Sequence, residues 1–337
     1  MLVTGRNGAG KTNLLEGLYF GITGRSCRTS NEREVVRFDA QAARVEVDTR
    51  EVALAVGFQP GQPKRFTVDG APADRLSDAP GRPLVAVFLP DRLELIKGAP
   101  ALRRAHLDQV VAALWPTRAV TRRSYAQALA QRNALVARIR SGRANRDALP
   151  AWNAELALHG IALRDDRAAT ADLLAEPFAE LAAELGMNGT AELRYRPRTS
   201  ASTAAELAAE LAERVESDLE RGFTGHGPHR DEIVLARDGR ELRAYGSQGE
   251  QRLGLLALLL AERSVLATTR GTPPLLLLDD VMSELDADRR ALLIDRLAEG
   301  QSLITTTELA HVPGHERAGV MKIAVGDGVV LQEAKAA

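Results

Sequence analysis

The period of the hydrophobic pattern changes several times along this chain. Behind "GRNGAGKT", Leu14, Leu15, Leu18, Tyr19 and Ile22 recur at helical spacing and predict a helix. Alternation follows at Val45 and Val47, at Val52, Leu54, Val56 and Phe58, and at Phe66 and Val68. These positions predict short half-buried strands with turns at "PGQP" and "VDGAP". "LVAVFLP", Leu84 to Pro90, is unbroken and predicts a buried strand. From about Leu102 to Arg221 the spacing is mostly helical, as in Leu207, Leu211, Val215 and Leu219, with breaks expected near Pro116, Pro150, Pro177 and Pro197. Strand signals return at "EIVLARDG". An apolar helix is expected from about Gly249 to Leu266. "PPLLLLDD" is the kind of run that central parallel strands show. "SLITTTE" is a second such run after a helix around Leu292 to Leu297, and "MKIAVGDGVVLQE" predicts a terminal hairpin turning at Gly326 to Gly328.

The two ends of the chain therefore read as one α/β unit, with a helical insert between them. The expected segments are 1–95, 96–222 and 223–337, the middle one being the insert. "MLVT" before the first glycine loop reads as too short for a central strand plus any neighbour.

Composition changes this picture modestly. Apolar residues make up 45% of 337, enough for a sizeable core, and with aromatics at only 4% that core must be aliphatic. The net charge of −1 excludes a globally basic nucleic-acid binder, so any such surface must be local. Cys27 is the only cysteine, so no internal disulfide is possible and a reducing compartment is expected. The start lacks the pattern of a signal peptide, and the longest apolar run, around Leu253 to Ala261, is far short of the roughly 20 residues that span a bilayer. A soluble cytoplasmic protein is expected.

The chemistry concentrates in three stretches. Gly5, Arg6, Asn7, Gly8, Ala9, Gly10, Lys11 and Thr12, followed by Asn13, fit G-x-x-x-x-G-K-[ST]. Glycines let backbone N–H groups close around an anion, and the following helix points its positive end at the same place. Lys11 is expected on the β and γ phosphates of a nucleotide and Thr12 on Mg²⁺. In "LLLLDDVMSELD", Asp279 ends an apolar strand, which places it beside that loop as a partner of the same ion. Asp280 follows as the residue that orients or deprotonates the attacking water. The third stretch is "YGSQGEQRLG", a small glycine loop opening into a helix. Taken alone, "SQG" fits either a capped helix or a second phosphate grip. One phosphate tail cannot use two helix N-termini from opposite sides of one chain, so the economical arrangement is a homodimer. Each copy would then hold ATP with its own Lys11 and cover the other's with Ser247, Gln248, Gly249 and Glu250.

That arrangement resembles the ABC-type ATPases of the SMC and RecF group, and particular stretches narrow it to the RecF family of recombination-mediator ATPases. "GRSCRTS" (Gly24 to Ser30) is similar to the family's Gly-Arg-Ser-Phe-Arg-Thr piece, with Cys27 where Phe is usual. "LIKGAPALRRAHLD", "QRNALV", "GHGPHRDEI" and "LLLLDDVMSELDADRRALLIDRL" also resemble family stretches, and the likeness covers nearly the whole chain. It departs at the front, where the family has two strands before the phosphate loop.

The resemblance implies an α/β fold, an ABC-type P-loop ATPase head with a mixed sheet and a helical insert. It implies ATP-dependent dimerisation with Mg²⁺, DNA bound by the dimer at gaps, slow hydrolysis that resets it, and work with RecR and RecO. It assigns Ser247 to Glu250 to the signature motif and Ser283, Glu284 and Asp286 to the D-loop. Thr307, in the "TTT" of Thr305 to Thr307, is the expected γ-phosphate sensor. Asp280 stands where transporters carry glutamate. A nucleotide-binding subunit of an ABC transporter is the alternative, and the helical insert and the arginines described next speak against it.

Arg118, Arg122, Arg123, Arg132, Arg138, Arg140, Arg143 and Arg146 lie in one stretch with no acid. Such density suits sequence-blind phosphate contacts to single- or double-stranded DNA. The other reading is a basic helix paired with the acidic "AELAAELAERVESDLE" of the same insert. His226 and His229 lack a third ligand nearby, so "GPHRD" is expected to shape a turn.

Overall fold

The computed structural model describes residues 1–29, 31–89, 93–298 and 300–334. Ser30 of "GRSCRTS" and Pro90 of "LVAVFLP" therefore fall outside the described residues. In chain order the elements are β1 (Leu2–Thr4), α1 (Lys11–Thr23), β2 (Ala43–Asp48), β3 (Ala53–Phe58), β4 (Arg65–Val68), β5 (Ala71–Ala73) and β6 (Val85–Phe88). Then come α2 (Glu94–Lys97), α3 (Pro100–Leu114), α4 (Ala119–Arg140), α5 (Leu149–Glu184), β7 (Ala191–Arg196), α6 (Ala204–Glu213) and α7 (Val215–Arg221). The chain continues through β8 (Glu232–Arg237), β9 (Arg240–Glu241), α8 (Leu242–Tyr245), α9 (Gln248–Arg270) and β10 (Leu275–Leu278). It finishes with α10 (Ala287–Leu297), β11 (Ser302–Thr306), β12 (Lys322–Gly326) and β13 (Val329–Ala334).

Two compact units result, Met1–Arg92 with Gly271–Ala337, and Leu93–Arg270. The stretch 223–270, grouped from the sequence with the C-terminal segment, falls in the second unit because α9 packs along α5.

The first unit holds a six-stranded sheet in the order β13-β12-β1-β11-β10-β6. All neighbours are parallel except the β12–β13 hairpin. The unbroken Leu run of β10 sits between β11 and β6, and Leu276, Leu277 and Leu278 are fully buried, as a strand covered on both faces requires. The three residues of β1 do form a central strand. They pair with Ile304 to Thr306 on one side and Lys322 to Ala324 on the other, so the neighbours come from the far end of the chain. Val3, Leu15, Val87, Leu277, Leu303 and Ile323 form one aliphatic core here. A second, antiparallel sheet β2-β3-β4-β5 packs Val52, Leu54, Val56 and Phe58 around Phe20 of α1. The helix approaches β2 so closely that a Cβ on Gly21 would lie 2.5 Å from Val47 Cγ2.

The second unit is helical apart from the sheet β7-β8-β9. Two expectations change here. Pro177 does not break its helix: α5 runs through it for 36 residues. Leu174, Phe178 and Leu181 on either side are buried, and that burial outweighs the lost backbone bond. β7 arises inside the stretch read as helical, because "AELRYR" is completed as a strand by pairing with β8, Leu193 opposite Leu235. The Leu207 to Leu219 periodicity is real but divides into α6 and α7 at Arg214. Three hairpins turn on Asp-Gly pairs, Asp69-Gly70, Asp238-Gly239 and Asp327-Gly328, both residues of each having positive φ, as two-residue turns of this kind demand. Among the described residues no helix is long and apolar enough to cross a membrane.

Candidate nucleotide site

The phosphate loop connects β1 to α1. Gly8 and Gly10 take positive φ (80° and 103°), and Gly10 is the residue from which α1 starts. A Cβ on Gly5 would collide with the carbonyl oxygen of Val325 at 2.3 Å. The loop is braced within itself by Ala9 N–H donating to Arg6 O (3.1 Å), and from outside by Gly328 N–H donating to Ala9 O (2.9 Å). Leu14 N–H is the donor to Gly10 O (3.0 Å), which leaves the N–H groups of Lys11, Thr12 and Asn13 at the positive end of the helix. Arg6, Asn7 and Gly8 are exposed at the rim. Lys11 is buried, and its ammonium donates to the carbonyls of Gly5 (2.8 Å) and Arg6 (3.1 Å).

Asp279 stands just past the end of β10, the strand two places from β1, and this register brings it to Thr12. The Thr12 hydroxyl lies 3.1 and 2.9 Å from the two Asp279 oxygens. A hydroxyl and a carboxylate meeting beside a phosphate loop are the hard oxygen donors that suit Mg²⁺ completed by phosphate oxygens and water. Asp280 follows in the left-handed region (φ 46°), a costly conformation for a residue other than glycine. Ser283 holds it there, its hydroxyl donating to Asp280 O (2.7 Å) and to Oδ2 (3.0 Å). Asp280 Oδ1 is buried without a hydrogen-bond partner among the described residues. Thr307, just after β11, is exposed. The threonine that the fold brings to the carboxylates is Thr305, whose hydroxyl donates to Asp279 Oδ1 (2.6 Å). Asp286 caps α10, accepting from Arg289 N–H (2.9 Å). Glu284 lies in the short 3-10 turn before it.

"GRSCRTS" lies against the start of α1. Ser26 donates to Glu16, and Arg28 donates to Asn13 Oδ1 (3.0 Å) and Glu16 Oε2 (3.3 Å). Arg28 is thus a candidate next to the loop that residue patterns alone did not single out.

In the second unit, Ser247 and Glu250 form a reciprocal cap at the start of α9. Glu250 N–H donates to Ser247 Oγ (3.3 Å) and Ser247 N–H to Glu250 Oε2 (2.8 Å). Glu250 is also paired with Arg237. Gln248 and Gly249 form the exposed first turn.

The arginines of α4 separate into distinct environments. Arg132 is wholly buried, its guanidinium donating to Asp218 Oδ2 (2.7 Å), Asn153 Oδ1 (2.8 Å) and Thr224 Oγ1 (2.6 Å). It is therefore removed from the expected DNA contacts: its charge is consumed inside the unit. Its position was legible, since Tyr125, Ala128, Arg132 and Leu135 share one buried helical stripe. Arg118 pairs with Asp166 (3.0 Å) and lies over Trp115, Arg122 pairs with Asp108 (3.2 Å) while staying half exposed, and Arg146 pairs with Glu216. Arg140 is exposed and reaches Arg221 O (3.4 Å). Arg123 and Arg138 are exposed, with no ion pair among the described residues. In the "GPHRD" turn, His229 Nε2–H donates to Thr224 O (2.9 Å), so its Nδ1 accepts from Tyr125 OH (2.7 Å). Burial, with the nearby arginines, lowers His229 to about 4 and leaves it neutral.

A parallel core sheet, a glycine loop opening a helix, and consecutive aspartates at the end of a neighbouring strand define an ABC-type P-loop ATPase head. The Smc head domain of Pyrococcus furiosus shares this fold at a TM-score of 0.53 and 18% identity. No protein-family model matches the chain. Relatives match it closely: the DNA replication and repair protein RecF of Myxococcus xanthus is 38% identical, over 99% of this chain and 92% of its own. That of Anaeromyxobacter sp. (strain Fw109-5) is 41% identical over 91% and 86%. A solved structure of the recombination mediator protein RecF with ATP, in the RecFOR pathway, superposes at a TM-score of 0.88 with 29% identity, covering 99% of this chain and 91% of its own. The chain belongs to the RecF family of DNA replication and repair proteins.

Proposed function

We propose that this chain is an ATP-driven DNA clamp of recombinational repair. The observation that carries the reading is the meeting of Thr12 and Asp279 beside the Lys11 loop, residues 267 positions apart in the chain. The loop N–H groups and Lys11 bind the β and γ phosphates. Thr12 and Asp279 hold Mg²⁺, which when bound neutralises phosphate charge. Asp280 uses its unpartnered Oδ1 to orient the attacking water and take its proton as the water oxygen bonds to the γ-phosphorus and ADP departs. Aspartate is one methylene shorter than glutamate, in keeping with slow turnover. A second copy closes the site with its Ser247 to Glu250 segment, and hydrolysis releases it. Exposed arginines, chiefly Arg123 and Arg138 with Arg118, Arg122 and Arg140, supply salt-sensitive contacts to DNA phosphates at gaps. By kinship with the RecF of the RecFOR pathway, RecR and RecO are the expected partners.

The capping role of Ser247 shapes the test. Ser247→Asp keeps an N-cap oxygen but sets a negative charge against the incoming phosphate. Sedimentation with a slowly hydrolysed ATP analogue should give dimers for the wild type and monomers for Ser247→Asp, with equal nucleotide binding by both. Lys11→Ala should bind no nucleotide. A dimer of undiminished strength in Ser247→Asp would overturn the shared site, and normal binding by Lys11→Ala would overturn the phosphate loop.

A further inference from the structure

Thr305 lies within β11 and is completely buried, at 0% exposure. A hydroxyl in such a place is costly unless it is bonded. It has one proton to give and lone pairs to receive. Asp279, as a carboxylate, can only accept, so the Thr305 proton goes to Asp279 Oδ1 (2.6 Å). The Thr305 oxygen then accepts the backbone N–H of Asp280 (3.0 Å). One hydroxyl thus ties together two consecutive aspartates with different tasks. On one side it fixes the carboxylate that also receives Thr12. On the other it grips the peptide N–H at the point where the chain turns left-handed (φ 46°) to aim Asp280. Ser283 holds the same residue from its carbonyl and Oδ2, so Oδ1 alone is left open.

We infer that Thr305 is a positioning residue for hydrolysis, the strut that sets Asp280 relative to Asp279. This rests on the nucleotide reading above. Valine fills the same space with a methyl group, leaving the Asp280 N–H without its acceptor and Asp279 with Thr12 but without the Thr305 donor. Serine restores both.

The test compares wild type, Thr305→Val and Thr305→Ser by three measurements. They are amide hydrogen exchange of the 279–283 segment without nucleotide, equilibrium binding of an ATP analogue with Mg²⁺, and single-turnover hydrolysis. Thr305→Val should keep nucleotide affinity within about threefold, lower the hydrolysis rate by about tenfold to a hundredfold, and speed exchange at Asp280. Thr305→Ser should return both towards wild type. Unchanged exchange and rate in Thr305→Val, or no rescue by Thr305→Ser, overturns the inference. If Thr305→Val fails to fold, Thr305→Cys, of similar size and a weak donor, replaces it under the same outcomes. Failure of the wild type to bind the analogue would instead remove the nucleotide reading, and the exchange comparison would still decide whether Thr305 holds Asp280.

Discussion

Arg132 of the helical unit and Asp280 of the nucleotide unit are both charged groups set among buried neighbours, yet their surroundings differ. Arg132 meets a carboxylate, an amide oxygen and a hydroxyl at 2.6–2.8 Å. Arg167 of the same unit is treated alike: it grips both oxygens of Asp108 (2.7 and 3.1 Å) and the carbonyl of Pro228 (2.7 Å). Asp280 has a left-handed backbone and one oxygen without a partner among the described residues. A fully satisfied buried charge fixes one packing of α4, α5 and α7. An under-satisfied one retains capacity for something from outside. The first kind of residue serves architecture, the second serves chemistry at a cost in stability.

The sharpest way to break this contrast is Arg132→Ala. It strands Asp218 and should cost about 3–5 kcal/mol of unfolding free energy, read by denaturant titration. Next, Asp280→Asn should reduce ATP hydrolysis by about a hundredfold or more while leaving the unfolding midpoint unchanged or slightly raised, since asparagine tolerates the left-handed turn better. A large loss of stability there would place Asp280 with Arg132 as an architectural residue. A smaller effect is expected on the arginine face: Arg123→Ala with Arg138→Ala should lower the slope of log affinity for duplex DNA against log salt by about 2, whereas loss without a slope change would point to misfolding. The smallest concerns pH. His229 takes its proton near pH 6.5 unfolded and about 4 folded. Between these values the unfolded chain binds more protons, so stability falls as pH drops through the window, by at most about 1.4 kcal/mol per pH unit. His229→Asn should flatten that part of the stability profile, measured by denaturation from pH 7 to 4.

The phosphate loop was legible because its backbone geometry restricts it to glycines at fixed offsets. Asp279 was legible because the Leu run before it admits no position but a central strand. The Asp-Gly pair in "MKIAVGDGVVLQE" announced the terminal hairpin, and "VDGAP" a turn; that Asp238-Gly239 also closes a hairpin follows from the pairing of β8 with β9. Thr305 was not separable from Thr306 and Thr307, because three identical residues carry no periodicity; only the pairing of β11 with β10 and β1 picks out which one reaches Asp279. Pro177 misled because a local rule was overridden by packing on both sides of it. The strain at Asp280 is a tertiary outcome with no signature in residue type.

The brace between Gly328 N–H and Ala9 O, with β1 lodged between β11 and β12, has a consequence for how the molecule folds. Contacts spanning some 300 positions, as between Leu2 and Ile304, are slow to find and leave β1 unpaired until they form. A loop braced in this way depends on pairings that close late in folding, so a change in β11 or β12 reaches the phosphate loop as directly as one in the loop itself.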